Sequence, residues 1–115
     1  MGMDLSGAGG YFRWAGGGWG RILDLAEQFG WQPVGTGPPR GTLKEDWSGS
    51  YFSNDGQLFY ARDAQKLADA LERALEEMPT EKLKKDSSNW VFTQEGKGTI
   101  QQFITFCREG SFRID

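Results

Sequence analysis

Glu45 and Asp46 stand side by side in a segment without apolar periodicity, and Asp55 follows a short way on. Paired carboxylates can divide acid and base roles, so these three come nearest to a catalytic constellation. The chain has no histidine, which removes the usual proton shuttle near neutral pH and the commonest metal ligand. A nucleophile would have to lean on Asp, Glu, Lys or Tyr as its base. The single cysteine, Cys107, falls on the apolar stripe of a predicted helix, where a free thiol ordinarily packs. One Cys without His supplies no structural zinc set. Adjacent acids in a loop are most often simply solvated. The expectation is therefore a chain with no catalytic residue, no metal and no cofactor.

Anion binding has more to draw on. "YFRW" (11–14) and "SFRI" (111–114) each set an arginine between two apolar residues. If both are strands, Arg13 and Arg113 point away from the core, and if the strands adjoin they share a face. Like charges directly opposite cost a few tenths to about 1 kcal/mol, so the pair would want an acidic neighbour or an anionic ligand. The plainer alternative is that the strands lie apart, or that Asp4 or Asp115 neutralises them. Arg21 sits just past Gly16-Gly17-Gly18, where the amides of a helix start favour an anion. Arg13, Arg21 and Arg113, near Asp46 or Asp55, make up the candidate anion site. The glycines match no phosphate loop: neither G-x-x-x-x-G-K-[ST] nor G-x-G-x-x-G fits. They read instead as room for Trp14 and Trp19 to pack against backbone. "SNDGQ" also fails as a calcium loop, since Tyr51 and Arg62 fall where an EF-hand needs carboxylates.

A protein-binding surface is the other candidate. Trp31, Arg40, Trp47 and Tyr51 bracket a long segment, and Trp, Tyr and Arg are the types enriched at binding hot spots. Pro33, Pro38 and Pro39 limit that segment's freedom and so lower the entropy lost on binding. Trp31 and Trp47 could equally plug the edge of the core.

These residues need elements to position them. The chain has 115 residues, enough for one domain, and eight Phe, five Trp and three Tyr to fill its core. Apolar spacing at Trp19, Ile22, Leu23, Ala26 and Phe29 predicts a first helix that Gly30 ends. Ala64, Leu67, Ala68, Leu71, Leu75 and Met78 predict a second, with Asp63 as N-cap and Pro79 closing it. Asp69–Arg73 and Arg73–Glu77 would form pairs along its solvated face. Thr99 and Gln102 make a capping box ahead of Ile100, Phe103, Ile104 and Cys107, a third helix that Gly110 can end. "YFRW" and "SFRI" read as strands, and "SYFSNDGQLFYA" as a hairpin turning at Asn54-Asp55-Gly56. Residues 80–98, with "WVF" at 90–92, have no clear period. The stretch 30–50 is a loop in which a short element near Thr42–Trp47 is the expected omission. The sum is an α+β fold: a small, mainly antiparallel sheet with about three helices, in a single domain over 1–115.

Thirteen basic against sixteen acidic residues leave a formal charge of −3, which argues against nucleic acid as partner. No apolar run approaches the ~20 residues of a membrane span. The N-terminus lacks a secretory pattern and the lone thiol suits a reducing compartment, so the expected location is the cytoplasm. Gly2 and Ser6 satisfy a myristoylation pattern loose enough to match by chance.

"MGMDLSGAGGYFRWAGGGWGRILDLAEQFGW" and "NDGQLFYARDAQKLADALERAL" resemble small single-domain proteins encoded by bacteria and phages. The likeness is one of pattern over about half the chain, and carries over no catalytic residue. It implies an immunity-like or otherwise inhibitory partner of a larger protein. The expectation is thus a non-catalytic protein-binding module, with a binder or enzyme for a small anionic ligand as the alternative. The oligomeric state is left open.

Overall fold

The computed structural model describes residues 2–77 and 94–115. Among the described residues the fold is α+β: one antiparallel sheet with three helices against one of its faces. Its strands are β1 (Gly2–Gly7), β2 (Gly10–Ala15), β3 (Gln57–Phe59) and β4 (Phe112–Ile114). The helices are α1 (Gly16–Gln28), α2 (Ala61–Glu77) and α3 (Gln94–Arg108). Strand order is β2-β1-β4-β3, so the first and last strands of the chain lie side by side in the middle.

β1 had no strand expectation, yet it holds the sheet together. Leu5 faces Phe12 on one side and Ile114 on the other, and all these point to the core. The period-2 alternation of Met3 and Leu5 with Asp4 and Ser6 then turns the polar pair to solvent. Aromatic rings join the layers. Phe59 stacks on Phe112 with centroids 4.7 Å apart and on Trp31 at 6.1 Å, while Phe12 and Trp14 meet Phe103 of α3.

Helix α1 ends as its sequence suggests. Gly30 adopts φ +101°, Gly30 N–H donates to Glu27 O, and Trp31 N–H reaches Ala26 O at 2.9 Å. This paired closure aims the Trp31 indole into the core. At its start the glycine reading needs correction. A Cβ at Gly17 or Gly20 would meet nothing within 4 Å, so neither is demanded by tryptophan packing.

Three further expectations change. Asp63 is not an N-cap: α2 begins two residues earlier, and the Asp63 carboxylate turns inward to buried donors. Thr99 caps nothing, because α3 already runs from Gln94; its hydroxyl donates to Glu95 O one turn back. The hairpin over 50–61 is absent among the described residues. Its turn exists, with Gly56 at φ +84°, but β3 pairs with β4 and touches Gly37 through a single bridge at Leu58. The reason is Gln57, whose side-chain amide donates to Ser50 O and Ser53 O and holds that arm as a loop. The expected end of the second helix at Met78 and Pro79, and "WVF", lie outside the described residues.

The charged face of α2 is also wired differently. Arg73 donates to Phe29 O with Nε and Nη2 (3.1 and 2.7 Å), closing the C-terminus of α1 where a cation suits the helix dipole. Asp69 and Glu72 pair instead with Arg108 of α3, at 3.0 and 2.8 Å. Cys107 of α3 is fully buried, and burial pushes its thiol well above the usual range. A disulfide-exchange reagent is expected to label native protein at least about a thousandfold more slowly than unfolded chain, because attack must await opening. Comparable rates with and without denaturant would contradict the packing.

Candidate functional site

Two surfaces emerge, and the first is the segment 31–52. It contains one 3₁₀ turn, Lys44–Asp46, inside the interval where an omitted element was expected. Side chains from inside the fold clamp the rest. Trp31 Nε1 donates to Asp63 Oδ1 at 2.9 Å and Tyr51 Oη to Asp63 Oδ2 at 2.5 Å. Tyr51 Oη in turn accepts from Gly35 N–H at 2.8 Å, and Trp19 Nε1 donates to Tyr51 O at 2.7 Å. Further along, Trp47 Nε1 reaches Thr36 O, and the Thr36 hydroxyl donates to Ser50 O. Burial raises the Asp63 carboxyl above its ordinary value, although Tyr51, Trp31 and Lys66 oppose that shift. The Tyr51 phenol is raised too, by burial and then by the carboxylate beside it.

Of the four residues expected to meet a partner, Trp31 and Tyr51 are buried and serve as the anchors. Trp47 is half-buried and Arg40 exposed. The side chains that do face solvent are ones the sequence reading passed over: Val34 at 71 % exposure, Leu43 at 62 % and Phe52 at 66 %. Tyr60 lies against the same segment, its phenol so near Gly37 that a Cβ there would come within 2.6 Å. Nothing local in the sequence separates an inward tryptophan from an outward phenylalanine when no period runs through the stretch.

The second surface is a cleft of about 520 Å³ on the open side of the sheet. Ser6 and Gly7 of β1 and Arg113 of β4 form its floor, with Asp115 just beyond; Arg40, Asp55 and Gly56 close it. Gly7 belongs there because a Cβ would strike Ser111 O at 2.2 Å. Arg113 Nη1 donates to Gly56 O at 2.8 Å, which fixes the guanidinium over the cleft. The three arginines expected to gather do not. β1 separates β2 from β4, so Arg13 faces Asp4 at 3.7 Å while Arg113 lies opposite Ser6. Arg21 is exposed on α1, a helix of the opposite face. Arg113 and Asp55 both line the cleft, and Arg40 joins them from the long loop; Asp46 does not.

Among the described residues, no group of three His, Cys, Asp or Glu side chains converges as a metal site, and no helix is long and apolar enough to cross a membrane. No protein-family model, curated protein or solved structure matches the chain.

Proposed function

We propose that the chain is a non-catalytic protein-binding module of the inhibitory, immunity-like kind, acting in the cytoplasm of a bacterial or phage-infected cell. It docks on a larger protein through segment 31–52. The observation that carries this reading is the distribution of exposed apolar side chains. Among the described residues the large exposed hydrophobics are Tyr11, Val34, Leu43, Phe52 and Tyr60; three belong to this segment and Tyr60 packs on it. Isolated exposed apolar residues are ordinary, but a concentration on a clamped loop is what a contact surface requires. The clamp adds to affinity, because a loop already ordered loses less entropy when it binds.

The test compares partner capture from source lysate by the wild type and by Val34→Ser/Leu43→Ser/Phe52→Ser. All three side chains are exposed, so the fold should survive, as circular dichroism can verify. Binding to the captured protein is expected to weaken by about tenfold or more, the scale of losing central apolar contacts. A partner retained with undiminished affinity by the triple variant removes the loop from this role.

A further inference from the structure

The cleft on the open sheet face carries both signs of charge. Arg40, Arg113, Asp55 and Asp115 line it, and among the described residues no carboxylate lies within ion-pair distance of either arginine. Arg113 of β4 and Asp115 just past its end both line the cleft, yet Arg113 is committed to the Gly56 carbonyl. That bond uses one of the five N–H donors of a guanidinium, leaving a fork free for a planar acid. Arg40 faces the same space from the loop. The two carboxylates disfavour a polyanion, while two arginines disfavour a cation. The formal charge of these four side chains sums to zero. The volume is within the range of small-molecule sites, roughly 300–1,000 Å³.

We infer that this cleft binds a small zwitterion, an amino acid or short peptide, with its carboxylate on Arg113 and Arg40 and its ammonium on Asp55 and Asp115. The inference does not rest on the docking role of segment 31–52.

Three probes dissect it: glycylglycine, N-acetylglycylglycine, which lacks the ammonium, and glycylglycinamide, which lacks the carboxylate. Binding is read from amide NMR shifts of Ser6, Gly7 and Gly56 in the full chain. Glycylglycine is expected to shift these amides with millimolar or tighter affinity, and each blocked probe to bind about tenfold more weakly, the scale of one charge-assisted contact. Arg113→Gln and Arg40→Gln are each expected to weaken glycylglycine by a similar factor. Arg40 is exposed, so its variant keeps the measurement sound should Arg113→Gln disturb β4. If N-acetylglycylglycine binds as well as glycylglycine, the cleft is a simple anion site and the zwitterion reading is overturned. Amides that stay in place at about 50 mM glycylglycine, far above a millimolar affinity, overturn it altogether.

Discussion

Asp63→Ala is expected to destabilise the protein by about 3 kcal/mol, because it strands two buried donors at once. The indole N–H of Trp31 and the phenol of Tyr51 both end on this carboxylate, and all three residues are buried. Each donor left without an acceptor costs about 1–3 kcal/mol. Urea unfolding followed by tryptophan fluorescence measures the loss; a change within about 0.5 kcal/mol, typical of a surface site, would refute the keystone role. Asp63→Asn adds a pH signature. Burial raises the folded carboxyl above its ordinary 3.8, so the native state holds this proton more tightly than the unfolded chain. Its contribution is therefore fully present below the ordinary value and is lost as pH rises through the folded one. The wild type should lose stability relative to Asp63→Asn as pH climbs from about 3 toward neutrality. A difference that is flat or grows in the opposite sense contradicts the direction of the shift. The functional consequence follows from the geometry, since releasing Trp31 and Tyr51 unfastens the loop that displays Val34, Leu43 and Phe52.

Phe103→Ala is expected to cost about 4 kcal/mol, the upper range for truncating a buried aromatic. Its ring is fully buried and lies 5.3 Å from those of Phe12 and Trp14, 6.1 Å from Trp19 and 6.5 Å from Phe112. One side chain of α3 thus supports β2, α1 and β4 together. Leucine at the same place fills more of the space, so Phe103→Leu should lose clearly less than Phe103→Ala in the same unfolding measurement. Equal losses would mean that the aromatic contacts, rather than the volume, set the cost. The cleft is floored by β1 and β4, so Phe103→Ala should also blur the amide signals of Ser6 and Gly7.

Much of this was legible residue by residue. The spacing from Trp19 to Phe29 and from Ala64 to Leu75 states which side of α1 and α2 is buried, and Gly30 marks the first helix end. The misreadings share a cause. Asp63 and Thr99 have the types and positions of caps, but a cap is a local preference worth about 1 kcal/mol. Two buried donors from distant segments outweigh it at Asp63. β1 was hidden by its glycines, which lower strand propensity; neighbours on both sides supply what propensity does not. The candidate sites divided the same way. Arg113 and Asp55 could be named in advance, whereas Arg40 could not be assigned to them without knowing where the long loop runs.

The apolar period along each helix by itself determined α1 and α2, and with the alternating strand patterns of "YFRW" and "SFRI" the α+β class, because periodicity reports burial from within a dozen residues. Only the tertiary structure decided that the chain's first and last strands adjoin, that Trp31 and Tyr51 turn inward to Asp63, and that opposite charges line one cleft. Those outcomes depend on partners tens of residues away, such as Trp31 and Asp63 at a separation of 32, and no local pattern carries the identity of a distant hydrogen-bond acceptor.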